Sequence, residues 1–309
     1  MSFALSLSSR RGLTLVLVVA LACTVAVIRY LHWDDQALLW FKEQSVSMAD
    51  RDASIWLPGY KVSVEGKPLA GLDEDETSDL AYSPLTGTLF TVTGKLPMLV
   101  ELSRTGEVLR RIALKGFSNP EGVAVLENGN IAVTDERKRN LSIFELTADT
   151  EELDIADAQP FDLGFADAGN KGFEGIAWDP AQQRLLLGKE RAPTAMFSLG
   201  SDGQHLLDQE LQPLPSYGLG MRNLSALSVD PRTGHILALS AQSRLLLELD
   251  EKGDPVSFIS LIGGRSGLEE RIPRAEGVAM DEDGTIYMVS EPNLFYVFRK
   301  DEPFTAPQG

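Results

Sequence analysis

The sequence is poor in the residues that form disulfides and bind zinc. It contains one cysteine, Cys23, and three histidines, His32, His205 and His235, in 309 residues. A single cysteine excludes an intramolecular disulfide. The three histidines lie far apart in the chain and share no repeat position, which argues against a zinc site built from grouped nitrogen and sulfur ligands.

Positive charge and standard catalytic motifs are scarce as well. The chain has 28 Lys and Arg against 45 Asp and Glu, a formal net charge of −17. This balance argues against nucleic acid or an anionic membrane surface as the main partner, and it favours cations. The sequence has no Gly-x-Ser-x-Gly elbow, no His-x-x-Glu zinc helix and no phosphate loop, so no motif of this kind points to an enzyme.

What the sequence does contain is a unit that recurs five times. In each unit a short apolar run meets a turn rich in Asp, Gly, Pro or Asn, and a second apolar run follows, as expected for antiparallel strands. The equivalent positions are Ser78, Glu121, Glu174, Ser225 and Glu276. They are about 43, 53, 51 and 51 residues apart, which is typical of propeller blades with four strands each. The sequence therefore predicts an all-β, five-bladed β-propeller, with six blades as the alternative.

The outer strands of the blades are predicted from the apolar runs that follow the third strand of each unit. These runs are 108–116, 152–158, 205–211 and 255–263. The fifth unit reaches the C-terminus after three strands. We therefore predict that Tyr60 to Val64, which precedes the first unit, supplies the missing strand, closes the ring and hides an open sheet edge.

The N-terminal part contains an uninterrupted apolar run, Gly12 to Ile28, preceded by Arg10 and Arg11. Its length is at the short end of what crosses a membrane. We expect a cytoplasmic N-terminus over 1–11, a transmembrane signal anchor over 12–31, a linker or stalk over 32–58 and the propeller over 59–309. A cleaved or lipidated signal segment is the alternative.

This arrangement predicts a single-pass protein of the inner membrane whose C-terminal domain is periplasmic or extracellular. The predicted partner of the N-terminal helix is the membrane itself. A short amphipathic helix is expected over Gln36 to Gln44. Its residues Leu38 to Phe41 either lie on the bilayer surface or pack under the propeller, and the sequence does not decide between the two.

Candidate site residues follow from the propeller geometry, in which the start of the inner strand and the end of the second strand emerge on one face. Carboxylates occur at both places in three units. The candidate metal ligands are Glu121, Glu174 and Glu276 at inner-strand starts and Glu136, Glu190 and Glu291 at second-strand ends. The two weaker units have Ser78, Asp79 and Ser225 at the same places.

Several carboxylates around one narrow channel repel each other strongly unless a positive charge lies among them. An all-oxygen ligand set favours a hard cation, and Ca²⁺ tolerates irregular oxygen cages better than Mg²⁺ does. The alternative is that the carboxylates pair with nearby basic side chains. The basic residues in question are Lys189, Arg137, Arg191, Arg222, Arg244 and Arg274.

Four motifs resemble the SdiA-regulated (YjiK-like) family, distant relatives of the NHL-repeat propellers. The motifs are GFEGIAW, Lys189-Glu190, the DER at Asp135 to Arg137, and AEGVAMDEDGTIYMVSEPNLFYVF near the C-terminus. The resemblance covers about Tyr60 to Arg299. It implies a five-bladed propeller with a calcium site near the channel mouth and no established activity. The fourth unit departs from the pattern, because Gln242 and Ser243 stand where a more acidic strand end is expected.

Two functions remain open at this stage. The first is a membrane-anchored, calcium-binding recognition or scaffold module of the bacterial envelope, with a protein or envelope ligand on the channel face and no nucleic acid. The second is a metal-dependent hydrolase of lactonase or phosphoesterase type, in which one glutamate acts as general base. Trp178, which lies in an inner-strand run, is expected to be core.

Overall fold

The structure is a computed structural model of the chain. It describes residues 10–30, 33–73, 75–164, 172–191, 193–208, 210–215 and 219–300. Most of the expected cytoplasmic N-terminus and the last nine residues of the expected propeller segment lie outside the described residues.

The N-terminal part is helical. Its elements are α1 (Arg10–Tyr30), α2 (Trp33–Glu43), α3 (Met48–Asp52) and a single 3-10 turn (Leu57–Gly59). Within α1, the 19 residues from Gly12 to Tyr30 have a mean hydropathy of 2.3, and none of this segment is buried against the rest of the protein. By length and composition it can cross a membrane, and a signal sequence would have the same properties.

The rest of the described chain forms five sheets, whose strands pair antiparallel except for one parallel pair. In chain order the strands begin with β1 (Tyr60–Pro68), β2 (Thr77–Ser83), β3 (Thr88–Thr93), β4 (Met98–Leu102), β5 (Val108–Lys115), β6 (Pro120–Val125) and β7 (Ile131–Asp135). They continue with β8 (Asn140–Phe144), β9 (Glu152–Asp154), β10 (Phe161–Asp162), β11 (Phe173–Asp179), β12 (Arg184–Lys189), β13 (Ala195–Gly200) and β14 (Gln212–Leu214). The last are β15 (Ala226–Val229), β16 (Ile236–Ser240), β17 (Leu245–Leu249), β18 (Pro255–Ser260), β19 (Ala275–Met280), β20 (Ile286–Ser290) and β21 (Leu294–Lys300).

These sheets are the blades of a five-bladed propeller, as the repeat predicted, and the six-bladed alternative is wrong. Blade 1 is β2 to β5, blade 2 is β6, β7, β8 and β10, blade 3 is β11 to β14, and blade 4 is β15 to β18. Blade 5 is β19, β20, β21 and β1. Neighbouring inner strands contact each other all round, from β2 through β6, β11, β15 and β19 back to β2.

The predicted closure of the ring is confirmed. Strand β1 pairs antiparallel with β21, with Tyr60 opposite Lys300 and Val62 opposite Phe298. The seam between blades 5 and 1 is apolar, because Tyr287 and Phe295 of blade 5 pack in one buried cluster with Leu89 of blade 1. The ring is therefore closed by hydrogen bonds between its first and last strands and by hydrophobic packing between blades 5 and 1.

Two of the four predicted outer strands are wrong. In the run 152–158, β9 pairs in parallel with β5 of blade 1, and the outer strand of blade 2 is the two-residue β10. Among the described residues of the run 205–211, Leu206 alone forms a bridge, which is an isolated one, and the outer strand of blade 3 is β14. Outer strands have fewer neighbours to satisfy, so their sequences carry a weaker strand pattern than the inner strands do.

The segment expected to be a linker or stalk contacts blade 4. Helix α2 packs along β18, and Leu39 is only 2% exposed, within the cluster that contains Leu245 and Leu247. The neighbours of Leu39 on α2, by contrast, are exposed: Leu38 by 51%, Trp40 by 50% and Phe41 by 67%. Of the four apolar residues that the sequence left undecided, one packs against the propeller and three face outward.

Candidate functional site

Three of the predicted glutamates lie on β-bulges at the start of inner strands. Pro120 pairs with Asp135 and Gly122 with Thr134, so that Glu121 has no partner on the second strand. The same register shift occurs at Glu174 and at Glu276. A bulge re-aims the side chain of the extra residue. We call the end of the channel where these inner strands begin the glutamate mouth.

The glycine that follows each of these glutamates is required by packing. A Cβ atom on Gly175 would lie 2.7 Å from the Cα of Ala226 in blade 4, and one on Gly277 would lie 2.5 Å from the backbone carbon of Asp79 in blade 1. A Cβ on Gly122 would lie 2.7 Å from the backbone oxygen of Glu174. The repeated Glu-Gly pairs thus combine a bulge that presents a carboxylate with a glycine that lets the next inner strand approach closely.

The second-strand glutamates join this group through shared hydrogen bonds. The amide of Asn119 donates to Glu121 Oε1 at 2.6 Å and to Glu136 Oε2 at 3.1 Å. The other oxygen of Glu136 accepts the backbone N–H of Gly172 at 3.2 Å. One amide therefore holds two carboxylates of blade 2 side by side. Asp135, next to Glu136, instead accepts the backbone N–H of Ser118 and is fully buried.

Two arginines neutralise part of the cluster, as the ion-pair alternative predicted. Arg274 lies 3.2 Å from Glu276 and also pairs with Glu291. Arg191 Nε lies 2.7 Å from Glu190 Oε1, although its N–H is not directed at that oxygen, so this contact is an ion pair without a hydrogen bond. The arginines pair with carboxylates of blades 3 and 5.

Burial, and to a smaller extent the remaining negative charge, raises the pKa values of Glu174 and Glu121. Burial, and then the charges of Glu190, Glu276, Glu121 and Glu136, hold the pKa of Glu174 well above its usual range. Burial also raises the pKa of Glu121 to about 7, against hydrogen bonds from Ser78 and Asn119. Burial is the largest cause of both shifts, and the charges of neighbouring carboxylates add to it.

The two glutamates of blade 5 are shifted in the same direction. Burial raises the pKa of Glu291 to about 7, although Arg274 opposes the shift. The pKa of Glu276 is also raised by burial, against a hydrogen bond from Ser225 and the charge of Arg274. The charge of Glu76 contributes to the shift at Glu291. Glu76 was not predicted as a site residue, and the acidic run immediately before β2 was the signal that could have indicated it.

Asp79 lies deeper in the channel and connects three blades. Its carboxylate accepts the backbone N–H groups of Leu80, of Val123 in blade 2 and of Ile176 in blade 3, at 2.9 to 3.1 Å. Asp79 is fully buried, and this burial raises its pKa well above the usual range. Its backbone has a positive φ of 42°. This residue stabilises the ring and lies beneath the glutamate mouth.

In blade 4 the residues at the mouth contact helix α2. The Ser243 hydroxyl donates to Asp35 Oδ2 of α2 at 2.9 Å. Arg222 reaches Asp34 at 3.0 Å and Asp35 at 2.9 Å. Arg222 therefore binds α2, rather than the glutamates that the ion-pair alternative included. The departure of the fourth unit from an acidic strand end is explained by this contact, because an acidic residue in place of Ser243 would repel Asp35.

The donor set fits a hard cation in its chemistry, since it consists of carboxylate and amide oxygen atoms. The positions of these oxygen atoms, however, do not form a compact metal site. Among the described residues, no group of three or more His, Cys, Asp and Glu side chains is arranged so that it could hold a metal ion. The six glutamates line the channel mouth without converging on one point. An ion bound there would take water or amide oxygens as part of its ligand shell.

Comparison with known proteins gives a family and a structural likeness. The family model described as SdiA-regulated matches residues 52–299, which is most of the chain. A chain in the crystal structure of a nidogen/laminin complex is similar over 69% of this chain and 72% of that chain, with 16% sequence identity and a TM-score of 0.47.

Proposed function

The chain belongs to the SdiA-regulated family, and we propose that it is a membrane-anchored propeller whose glutamate mouth binds Ca²⁺ as part of a recognition site. The observation that carries this proposal is the position of Glu174. Burial and the charges of four other glutamates raise its pKa, and the largest contributions include no basic residue. A hard divalent cation is the simplest group that would offset this repulsion.

Glu174 and at least one of Glu121 and Glu276 would hold the ion, and water or Asn119, a neutral oxygen donor from the same group, would complete its ligand shell. A bound cation would supply fixed positive charge at the mouth and would make the anionic form of all three glutamates favourable. It would also offer an attachment point for an oxygen atom of a protein, peptide or envelope ligand. The ring of five inner strands provides a rigid frame for such a site.

The membrane part of the proposal is supported by α1 and by the contacts of α2. The apolar segment of α1 is unburied, and α2 begins only a few residues after it. Asp34 and Asp35 of α2 bind Arg222 and Ser243 at the mouth end of blade 4. The membrane helix would therefore be attached to the propeller near the face that carries the glutamates. Ligand recognition would then occur on the membrane-proximal face.

Calcium titration of the full chain in detergent micelles tests the metal proposal. Isothermal calorimetry should detect binding that Glu174→Gln weakens at least tenfold. Glu145→Gln, which removes an exposed glutamate outside the cluster, is the matched control and should bind as the unmodified protein does. Absence of calcium binding, or equal binding by the two variants, would contradict the proposal.

One observation favours a second candidate, a hydrolase. Glu121 has a pKa of about 7, in the range in which a carboxylate can act as a general base at neutral pH. A panel of lactones and phosphate esters tests this candidate. Turnover that requires added metal and is lost in Glu121→Gln would support the hydrolase. Calcium binding without turnover would instead favour the recognition module.

A further inference from the structure

Helix α2 has an exposed apolar side. Trp33, Ala37, Trp40 and Phe41 occupy positions i, i+4, i+7 and i+8, a spacing that places them on one side of the helix. Trp33 is 49% exposed, Trp40 50% and Phe41 67%, and Leu38 beside them is 51% exposed. We call these five residues the outer stripe. Exposed apolar side chains grouped in this way mark an interaction surface.

The outer stripe contains no charged residue, although α2 has three acidic ones. The propeller holds all three of them. Asp34 and Asp35 lie 3.0 and 2.9 Å from Arg222, and the buried Glu43 accepts the backbone N–H of Phe258 at 3.3 Å. These contacts fix one side of α2 against blade 4, so the outer stripe faces away from the propeller.

The outer stripe begins close to the helix that can cross a membrane. Helix α1 ends at Tyr30 and α2 begins at Trp33. An extended chain covers at most about 3.6 Å per residue, so the Cα atoms of these two residues lie at most about 11 Å apart. An ion pair also links the two helices, with Arg29 Nε 3.5 Å from Asp34 Oδ2. With α1 across a membrane, Trp33 lies in or next to the headgroup layer, which is about 5 to 8 Å thick on each side.

The composition of the outer stripe suits this layer. Tryptophan is enriched where hydrocarbon meets the headgroups, because its ring is apolar and its N–H is polar. A helix with one apolar and one polar side lies in the plane of the interface, with the apolar side toward the acyl chains. Since the outer stripe is uncharged and the chain carries a net charge of −17, the contact depends on apolar burial rather than on attraction to anionic lipid.

We propose that the outer stripe lies in the interfacial layer of a phospholipid bilayer, so that α1 and α2 together hold the propeller at the membrane. This inference rests on the membrane anchoring proposed above and adds a second contact to it. Blade 4, against which α2 packs, is then the blade nearest to the bilayer. The segment expected to be a stalk is a fixed connection, and it sets the orientation of the glutamate mouth relative to the membrane.

Spin labels on single cysteines test this contact in the full chain, reconstituted into phosphatidylcholine vesicles. Cys23 is the only cysteine and is exposed in α1, so a label there reports whether α1 lies in the bilayer. In the Cys23→Ser background, Leu38→Cys and Phe41→Cys carry the label on the outer stripe. Leu85→Cys is the control, because Leu85 is 64% exposed and lies in the turn between β2 and β3, at the end of the ring opposite the glutamate mouth.

Power saturation with oxygen, which concentrates in lipid, and with a water-soluble nickel chelate measures the depth of each label. The label on Cys23 should be the deepest. Both outer-stripe labels should be more accessible to oxygen than to the chelate, and the label on Leu85→Cys should show the reverse. The depths should not change when phosphatidylglycerol replaces part of the phosphatidylcholine. Circular dichroism establishes that the variants compared are folded.

Trp40→Glu provides a second readout, because it places a charge in the outer stripe without altering the side of α2 that packs on blade 4. In this variant the label on Phe41→Cys should lose its preference for oxygen, whereas a label on Cys23 should keep its depth. Trp40→Phe, which keeps the outer stripe apolar, is the matched control and should leave both labels as they are in the unmodified protein.

Three results would overturn the inference and leave the membrane anchor in place, given a Cys23 label within the bilayer. The first is an outer-stripe label as accessible to the chelate as the control label. The second is a depth that varies with the fraction of anionic lipid. The third is dipolar broadening between Phe41→Cys labels that disappears on dilution with unlabelled protein, because a second copy would then cover the outer stripe. A Cys23 label in water would contradict the anchoring proposal and this inference with it.

Discussion

Asp79 Oδ2 accepts a hydrogen bond from the backbone N–H of Ile176 at 3.1 Å, although the two residues belong to blades 1 and 3. The same oxygen accepts the N–H of Val123 in blade 2 at 3.1 Å. One buried side chain thus satisfies backbone donors of two other blades. The contact spans the channel below the glutamate mouth and fixes the positions from which Glu121 and Glu174 are presented.

We predict that Asp79→Ala destabilises the protein by about 3 kcal/mol, because three buried N–H groups lose their acceptor. Asp79→Asn should cost clearly less. The raised pKa of Asp79 favours its neutral form, and asparagine retains an acceptor oxygen of similar shape. Urea unfolding of both variants measures the difference. Equal losses for Ala and Asn would show that the hydrogen bonds contribute little.

The stability of the calcium-free protein should fall as pH rises. The folded-state pKa values of Glu121 and Glu291 are raised from 4.5 to about 7, and that of Glu174 is raised further. Below pH 4.5 these groups are protonated in both states. Between pH 4.5 and about 7 the folded protein holds protons that the unfolded chain releases, so the free energy of unfolding decreases with pH. Above pH 7, Glu174 continues this trend.

Melting temperatures measured from pH 5 to 9 in the presence of a chelator check this dependence. Glu174→Gln should flatten the slope above pH 7, because the variant lacks the group that titrates there. His235 contributes in the same direction, since burial lowers its pKa but its hydrogen bond with Glu248 and the charges of Glu248, Asp250 and Asp230 together raise it. The comparison between the unmodified protein and Glu174→Gln removes this shared contribution. A slope unaffected by the substitution would contradict the charge assignment.

The close approach of inner strands predicts a large cost at Gly175. An alanine there would place its Cβ 2.7 Å from the Cα of Ala226, which is backbone and cannot move aside cheaply. We expect Gly175→Ala to destabilise the protein by about 2 kcal/mol or more. Gly59→Ala is the control, since its Cβ would meet only the Lys300 side chain at 3.5 Å. Chemical denaturation measures both, and similar values would argue against the packing role.

The attachment of α2 to blade 4 predicts unequal effects at two adjacent leucines. Leu39 is 2% exposed and Leu38 is 51% exposed. Leu39→Ala should remove about 2 to 3 kcal/mol of packing and raise hydrogen exchange throughout α2, whereas Leu38→Ala should leave exchange unchanged. Hydrogen-exchange mass spectrometry of residues 33–52 makes the comparison. Equal exchange in the two variants would show that α2 is held by its polar contacts alone.

The sequence was sufficient to predict the blade count and the place of the glutamates, because inner strands and their turns are constrained on both sides by neighbouring blades. The closure of blade 5 by Tyr60 to Val64 followed from counting strands. The outer strands of blades 2 and 3 were missed because β9 finds its partner in another blade and β10 has only two residues. Such pairings depend on tertiary contacts rather than local pattern.

The sequence predicted which glutamates lie at the channel mouth but not how they are arranged there. The sequence pattern placed Glu121, Glu174 and Glu276 at one mouth, and the recurring Glu-Gly pair carried the bulge that presents them. It did not reveal that Asp79 would bridge blades or that Ser243 would bind α2. Both facts depend on which residues the ring brings together, and sequence spacing alone does not supply them.

The central claim is that the glutamate mouth binds calcium. The most direct test is a crystal structure of the protein grown with calcium chloride, with an anomalous difference map inspected at the channel mouth. We expect an ion in contact with Glu174 and with at least one of Glu121 and Glu276, its shell completed by water or Asn119. A mouth in which these glutamates bond only to arginine, to one another and to water, with no ion, would contradict it.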